Sequence, residues 1–386
     1  MTVGGTAAGA TTATAGGTTA GEVALAGRSF DAIEVHAEGE PGRILTTVAD
    51  LVRGDTMAER LAWCREHLDP LRLLMLHEPR GYPGLCAVLL LPPVRPGSHF
   101  GIVVVEQGGF TPMSGSNTIC TVTAVLERGL VPVPSGPVGA DGVTTTDVVI
   151  DTAVGTVTAR ARTLGAKVLS VTVVNVPAFV VGLDLPLEVP EFGTVPVDVV
   201  FGGQFFVQTD VRNLGLALDP DHGRQLARAG AMLKLAALEQ FPVSHPESPG
   251  AGTINLVMLH TGDRTPGVPD RNTVVLDNGP LRRDDPSTWT GALDRSPCGT
   301  GTCGRMAALH ARGRLAVGEE FVHHSIIGSR FTGRLTGTTT VGDRPAVLPT
   351  ITGRGWVTGR STWELDPTDL FPTGYTVGDL WAPAGS

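Results

Sequence analysis

The chain has 386 residues, of which 41% are hydrophobic and 17% charged, and its formal net charge at pH 7 is −9. This length exceeds what one hydrophobic core usually supports, so we expect two domains of ordinary size. The negative charge argues against a nucleic-acid or anionic-membrane partner, and no uninterrupted apolar run is long enough to predict a membrane span.

The five cysteines, Cys64, Cys86, Cys120, Cys298 and Cys303, are odd in number and irregularly spaced. This pattern is a poor framework for disulfides and favours a reducing compartment, so we expect a cytoplasmic protein. The cysteines and histidines show no metal-ligand spacing, and the chain has no P-loop and no dinucleotide-binding glycine motif. The sequence therefore predicts neither a metal nor a cofactor.

The first part of the chain begins with residues 1–27, which are almost entirely Gly, Ala, Thr and Val. They lack the basic start and continuous apolar run of a secretory signal, so we expect a disordered tail. Residues 30–35 and 43–48 then read as strands around a turn at 38–42. Thr56, with Glu59 three residues later, predicts a capped helix.

The remaining elements are mostly short strands, because the glycine and proline content is high and valine is frequent. One segment, residues 222–238, has the apolar periodicity of a helix. Apolar or β-branched runs predict strands at residues 87–91, 101–106, 147–152, 155–162, 168–174, 179–181, 196–200, 254–259 and 273–276.

A turn rich in glycine and hydroxyl residues occurs twice, once at Ser114 and once at Cys298. Each copy reads as a reactive residue, Gly, a hydroxyl residue, any residue and Thr, followed by a helix that ends in Arg-Gly. The aligned pairs are Gly115 with Gly299, Ser116 with Thr300, Thr118 with Thr302, Arg128 with Arg312 and Gly129 with Gly313. Two copies of one unit indicate duplicated domains that face each other, with chance similarity as the alternative.

The second copy of this turn places a thiol at the start of a helix. We expect Thr300 or Thr302 to cap that helix. The positive end of the helix dipole favours a thiolate, so we expect the pKa of Cys298 to be lowered. The free N–H groups of the first helical turn also suit a carboxylate. The stretch therefore offers a base and an anion site together.

Seven short motifs between about residue 30 and residue 375 resemble the proline racemase family and occur in the family's order. They are residues 36–41 (HAEGEP), 78–81 (EPRG), 113–117 (MSGSN), 175–177 (NVP), 201–203 (FGG), 294–302 (DRSPCGTGT) and 325–329 (SIIGS). The resemblance implies an α+β, diaminopimelate-epimerase-like fold with two pseudo-symmetric domains, each with strands wrapped around a central helix. The active site would lie in the interdomain cleft.

Applied to this chain, the resemblance predicts two halves, residues 28–163 with Ser114 and residues 164–365 with Cys298. The C-terminal segment, residues 366–386, is expected to pack back on the first half.

The resemblance also implies cofactor-independent chemistry at the α-carbon of a proline-type imino acid. Two cysteines flank that carbon in the family's racemases and epimerases; by position the second is Cys298, whereas Ser114 replaces the first. Asp294 matches the residue that receives the ring nitrogen. The substrate carboxylate would be bound by the N–H groups of Gly115, Ser116, Gly299 and Thr300. Ser116 stands where the family usually has histidine, which leaves some ring-side contacts open.

The Ser/Cys pair decides between the activities that the resemblance allows. An alcohol is a weaker acid than a thiol, so we expect Cys298 to be the primary acid/base and Ser114 its partner, or else a pure helix cap. The family's dehydratases are described as keeping the first cysteine and replacing the second with threonine. The opposite substitution here favours 2-epimerisation of trans-4-hydroxy-L-proline to cis-4-hydroxy-D-proline.

Three alternatives to that activity stay open. They are dehydration of trans-3-hydroxy-L-proline, racemisation of proline, and ligand binding without turnover. We expect a small-molecule partner, no nucleic acid and no membrane, with a homodimer as one option for assembly.

Overall fold

The computed structural model describes residues 25, 27–248 and 252–382. The expected disordered tail, residues 1–27, lies almost entirely outside this described part. Among the residues described, no helix is both long and apolar enough to cross a membrane.

Strands dominate the described part of the chain. The helices are α1 (Met57–His67), α2 (Asp69–Leu76), α3 (Gly115–Arg128), α4 (Gly223–Gln240) and α5 (Gly299–Ala311). The strands of the first half are β1 (Ser29–Ala37), β2 (Glu40–Leu45), β3 (Cys86–Leu91), β4 (Phe100–Glu106), β5 (Gly109–Thr111), β6 (Thr144–Thr152), β7 (Gly155–Leu164) and β8 (Lys167–Val174). Those that follow are β9 (Ala178–Val189), β10 (Gly193–Phe201), β11 (Phe205–Asp210), β12 (Ile254–Thr261), β13 (Arg271–Leu276), β14 (Ala292–Leu293), β15 (Glu320–Ser325), β16 (Arg330–Val341), β17 (Arg344–Gly353) and β18 (Gly355–Glu364).

Helix α3 is the centre of the first half. The strands around it pair in the order β18–β1–β2–β3–β4–β6–β7–β8, with β2–β3 and β4–β6 parallel and the other pairs antiparallel. Residues 115–125 of α3 are all buried. Thr121 and Thr123 fit this apolar surrounding because each hydroxyl donates to the carbonyl four residues earlier, at 2.8 Å.

Helix α5 is the centre of the second half. Its strands pair in the order β9–β10–β11–β12–β13–β15–β16–β17, and β17 also pairs with β9, which closes the ring. The parallel pairs, β11–β12 and β13–β15, occupy the same positions as in the first half. Strands β8 and β17 pair and join the halves. The predicted α+β architecture, with strands around a central helix in each half, is confirmed.

Several local predictions are also confirmed, one is wrong in its bounds, and one helix was not predicted. The capping box of Thr56 and Glu59 is present. The turn expected at residues 38–42 is shorter, because β2 begins at Glu40. Glu38 (φ 48°) and Gly39 (φ 100°) both adopt left-handed backbone angles, which lets two residues reverse the chain. Helix α2, which has a proline in its first turn, was not predicted.

The C-terminal segment contacts both halves. Tyr375 N donates to the Glu78 carbonyl at 2.8 Å, and Trp381 Nε1 donates to Glu78 Oε2 at 2.8 Å. Asn278 Nδ2, from the second half, donates to the Leu380 carbonyl at 3.1 Å. Because β18 returns to pair with β1, the two halves are not consecutive blocks of sequence. The predicted domain boundaries, residues 28–163 and 164–365, stay predictions. So does the assignment of residues 366–386 to a separate segment.

Candidate functional site

The first turns of α3 and α5 meet at the centre of the molecule. A Cβ built on Gly115 would lie 3.0 Å from the Cα of Gly299, and one built on Gly299 would lie 2.9 Å from the Cα of Gly115. Only glycine allows two helix backbones to approach this closely. Ser114 and Cys298, which directly precede these glycines, are thereby brought to one junction between the halves.

Ser114 is the N-cap of α3. Its Oγ accepts hydrogen bonds from Asn117 N at 3.5 Å and from Asn117 Nδ2 at 3.1 Å, and it lies 3.3 Å from Ser116 Oγ. The two donors from Asn117 occupy lone pairs of the hydroxyl, so its proton is available to donate. No histidine donates to or accepts from Ser114 among the hydrogen bonds of the described residues, and the group is therefore better suited to give a proton than to remove one.

Cys298 is the N-cap of α5, which corrects the prediction that Thr300 or Thr302 has this role. Its Sγ accepts from Gly301 N at 3.4 Å and lies 3.8 Å from Thr300 Oγ1. Thr302 lies inside the helix, where its hydroxyl donates to the Pro297 carbonyl at 2.8 Å. Cys298 also has a positive φ of 57°, a strained conformation for a side chain with a Cβ.

The expected lowering of the thiol pKa at Cys298 is not observed. The pKa of Cys298 is raised well above its usual value, first by burial and then by the negative charge of Asp294. The Gly301 N–H and the Thr300 hydroxyl act in the opposite direction but are outweighed. The end of the helix alone would favour a thiolate, but Cys298 is only 6% exposed and lies beside a carboxylate, and both effects oppose ionisation.

The first backbone N–H groups of both helices lie at the same junction, since Gly115 and Gly299 are in contact. In α3 the first bond between residues four apart joins Thr118 N to the Ser114 carbonyl at 2.9 Å, and in α5 it joins Thr302 N to the Cys298 carbonyl at 3.0 Å. The three N–H groups before this bond in each helix have no carbonyl four residues earlier in the helix. Those of Asn117 and Gly301 donate to the cap side chains, and the other four belong to Gly115, Ser116, Gly299 and Thr300. The residues predicted to bind a carboxylate are thus brought together; their role stays a prediction.

Asp294 lies at the same site, directly after β14, and is 5% exposed. Its Oδ1 accepts from Ser296 N and Ser296 Oγ, both at 2.8 Å, and its own N–H donates to the Val274 carbonyl at 2.8 Å. Ser296 Oγ in turn accepts from Cys298 N at 3.1 Å. Burial raises the pKa of Asp294, and the Ser296 donors counteract that effect.

A cavity of about 370 Å³ opens between the two halves beside this junction. Leu256 lines the cavity and packs in the same apolar cluster as Cys298. Polar groups from both halves also line it: Cys86, Glu106 and Gln107 from the first, and Gln204, Lys234 and Asp277 from the second. Charged and polar side chains from both halves thus form the wall of this cavity, which adjoins the junction through Leu256.

Three polar residues near the junction were not predicted from the sequence. Asn117 supplies both donors to Ser114, and the signal was its place three residues after a serine cap. Glu40 is 3% exposed and accepts from Arg295 N at 2.8 Å; its presence in the HAEGEP motif was the signal. Glu106 ends a buried strand, and no sequence feature distinguished it.

Comparison with known proteins places this arrangement in a family. The proline racemase profile matches residues 32–376. A 4-hydroxyproline 2-epimerase from Streptosporangium roseum is 39% identical over 350 residues, covering 91% of this chain and 99% of that protein. A protein of the same name from Agrobacterium fabrum is 37% identical over 360 residues, covering 92% of this chain and 97% of the relative.

A solved structure agrees with these sequence matches. The crystal structure of a hydroxyproline epimerase from Agrobacterium vitis, with bound trans-4-hydroxy-L-proline, superposes with a TM-score of 0.81 at 35% identity. The match covers 92% of this chain and 97% of that one. Since profile, relatives and structure all span nearly the whole chain, the protein belongs to the proline racemase family.

Proposed function

We propose that the protein is a 4-hydroxyproline 2-epimerase, which converts trans-4-hydroxy-L-proline into cis-4-hydroxy-D-proline without a cofactor. The observation that carries this proposal is the junction of α3 and α5, where Ser114 and Cys298 cap two helices whose first glycines touch. The names of the relatives support the choice of substrate, as does the trans-4-hydroxy-L-proline bound in the Agrobacterium vitis enzyme.

The helix starts bind the substrate through its two charged groups. Its carboxylate accepts from the N–H groups of Gly115, Ser116, Gly299 and Thr300, where both helix dipoles favour negative charge. Its ring nitrogen, a cation at neutral pH, pairs with Asp294. The ring then extends towards the cavity of about 370 Å³, whose size is in the usual range for small-molecule sites.

Proton transfer at the α-carbon uses the two caps from opposite sides. Cys298, as thiolate, removes the α-proton, and the electron pair of the broken C–H bond passes to the carboxylate held at the helix starts. Ser114 donates its hydroxyl proton to the other face, which forms the new C–H bond. It regains a proton from water or from the Ser116 hydroxyl, 3.3 Å away, while the Cys298 thiol releases its proton to solvent.

Substrate binding also explains how a thiol with a raised pKa becomes a base. The charge of Asp294 is one cause of the raised Cys298 pKa. A cationic ring nitrogen paired with Asp294 offsets that charge, so the thiolate becomes more accessible once the substrate is bound.

One observation favours a second candidate, dehydration of trans-3-hydroxy-L-proline. The junction holds a single thiol, and elimination of a β-hydroxyl needs only one strong base together with an acid. Ser114, whose hydroxyl proton is free to donate, meets the second requirement.

The test is to incubate the protein with trans-4-hydroxy-L-proline and follow optical rotation. We expect the rotation to change while the amount of imino acid stays constant. Parallel samples contain L-proline, or trans-3-hydroxy-L-proline assayed with o-aminobenzaldehyde for a cyclic imine. Imine formation without a rotation change in the first sample would establish the dehydratase instead, and inactivity on all three substrates would overturn both.

The cellular location belongs to the same proposal. All five cysteines are free and buried. Their odd number and free thiols favour a reducing compartment, and we propose the cytoplasm.

A further inference from the structure

Two buried carboxyl groups from different halves of the molecule meet beside the catalytic junction. Glu40 begins β2 in the first half, and Asp294 follows β14 in the second; they are 3% and 5% exposed. The two side chains are close enough for each to shift the pKa of the other. Glu40 Oε2 also accepts from Arg295 N at 2.8 Å, and the Cys86 thiol lies 3.8 Å from Glu40 Oε1.

The turn that carries Glu40 is itself fixed on the second half. The Glu38 carbonyl accepts from Ser329 Oγ at 2.5 Å, and Glu38 Oε1 accepts from Arg354 N at 3.1 Å. A Cβ on Gly39 would lie 2.6 Å from Ile327 Cδ1, so the turn sits tightly on this loop. These contacts fix the position of Glu40. Its contact with Asp294 is therefore part of the interface between the two halves.

Two neighbouring carboxyl groups that are both buried repel each other when both are charged, so one of them is expected to keep a proton. The surroundings decide which of them holds it. Asp294 accepts two hydrogen bonds from Ser296, and these stabilise its charged form. Glu40 accepts one backbone hydrogen bond, from Arg295, and a weak one from the Cys86 thiol at 3.8 Å. Burial and the charge of Asp294 raise the pKa of Glu40 well above its usual value.

We propose that Glu40 is a positioning residue that stays protonated and donates a hydrogen bond to Asp294, leaving Asp294 as the single negative charge that receives the substrate nitrogen. The role of Asp294 in this inference rests on the proposed function. Loss of the Glu40 proton would place a second negative charge at the site. That charge would repel the thiolate of Cys298 as well as the substrate carboxylate.

Other titratable groups surround the pair and must be separated from it in any pH experiment. They come from several elements: Tyr82, Cys86, Glu106, Cys120, Arg295 and Cys298. A change confined to Glu40 is therefore needed, and glutamine is the matched replacement. Its amide can donate to Asp294 and accept from Arg295 N, as the neutral acid does, but it cannot ionise.

The first measurement does not depend on turnover. Infrared difference spectra between the wild type and Glu40→Gln at neutral pH should show a protonated carboxylic acid band that is present only in the wild type. If the difference shows a carboxylate band instead, Glu40 is charged and the inference is overturned, whichever substrate the enzyme uses. Glu34→Gln, a change in the same hairpin outside the site, is the control and should leave this band in place.

The second measurement uses the substrate that the optical-rotation assay identifies. We expect Glu40→Gln to keep kcat/KM within about threefold of the wild type, and Glu40→Ala to lower it by about tenfold to a hundredfold with the larger part in KM. The alkaline fall of kcat/KM caused by ionisation of Glu40 should be absent in Glu40→Gln. Thermal unfolding checks that each variant is folded, and a folded Glu40→Gln as inactive as Glu40→Ala would contradict the proposal.

Discussion

The two helix caps that are proposed to transfer protons, Ser114 and Cys298, differ in one side-chain atom, and their surroundings increase the difference. Ser114 Oγ accepts from Asn117 and keeps its proton for donation. Cys298 Sγ is buried beside Asp294 and has a raised pKa, although Gly301 N donates to it. We therefore expect the two faces of the α-carbon to differ in rate, since a thiol is a stronger acid than an alcohol and Cys298 is the better base of the two.

This asymmetry predicts different isotope exchange in two variants. In deuterated water with trans-4-hydroxy-L-proline, we expect Cys298→Ser to lower α-proton exchange by about a thousandfold, because the base is lost. In Ser114→Ala, the rate of α-proton exchange should fall less than the rate of inversion, because Cys298 can still remove a proton and return one on its own face. The measurement is proton NMR of the α-position with chiral separation of products.

Ser114→Cys is the matched control, because it replaces the weaker acid with a thiol at the same cap. It should retain both exchange and inversion. Wild-type exchange in Cys298→Ser would contradict the assignment of the base.

At the scale of elements, the repeated turn is what brings the site together. Both helices start at a glycine that follows a reactive cap, and both end near a glycine with positive φ, Gly129 (60°) and Gly313 (69°). The hydrogen-bond order of the surrounding strands repeats as well. A duplicated supersecondary unit thus explains why two helix starts face each other across one cleft.

The contact between these helix starts predicts that a single methyl group will disturb the reaction. Gly299→Ala would place a Cβ 2.9 Å from the Gly115 backbone, so the helices must separate. Because misplacement by about 1 Å can cost about a hundredfold in rate, we expect kcat/KM to fall by about that factor in Gly299→Ala and in Gly115→Ala.

Gly359→Ala is the control for this pair, since a Cβ there meets no atom within 4 Å. It should stay within about twofold of the wild type, as surface substitutions usually do. The measurement is steady-state kinetics with thermal unfolding of each variant. Wild-type kcat/KM in both junction variants would show that the spacing of the helices is not critical.

The sequence predicted elements better than it predicted their surroundings. Thr56 with Glu59 marked a helix start, and the repeat at Ser114 and Cys298 marked the facing turns, because these signals are local. The direction of the Cys298 pKa was predicted wrongly, since it depends on burial and on Asp294. The partnership of Glu40 with Asp294 joins residues from different halves of the chain, and no local pattern reports such a contact.

On the scale of the whole molecule, the cleft between the halves has a charged wall that affects stability. Lys234 Nζ and Asp277 Oδ2 form an ion pair at 2.5 Å on the side of the second half. Glu106 faces them from β4 of the first half. The pKa of Glu106 is raised from 4.5 to about 7; burial is the largest cause, the charges of Asp294 and Asp277 contribute, and Lys234 acts in the opposite direction.

A raised carboxyl pKa in the folded protein fixes the sign of its effect on stability. The folded state holds the Glu106 proton more tightly than the unfolded chain, so this contribution is fully present below pH 4.5 and is lost as the pH rises to about 7. Glu106→Gln cannot ionise and lacks this dependence. We therefore expect the free energy of unfolding of the wild type, relative to that of Glu106→Gln, to fall between pH 4.5 and about 7. Above pH 7 the difference between the two proteins should stay constant.

Urea unfolding at a series of pH values measures the difference between the two proteins. Glu66→Gln provides the control, because the Glu66 side chain is 77% exposed and lies outside the cleft. Its curve should run parallel to that of the wild type. Parallel curves for Glu106→Gln and the wild type from pH 4.5 to 7 would show that Glu106 is ionised as easily in the folded protein as in the unfolded chain. The cleft would then hold an additional negative charge near Asp294 at neutral pH, and Lys234 would be the cation that balances it.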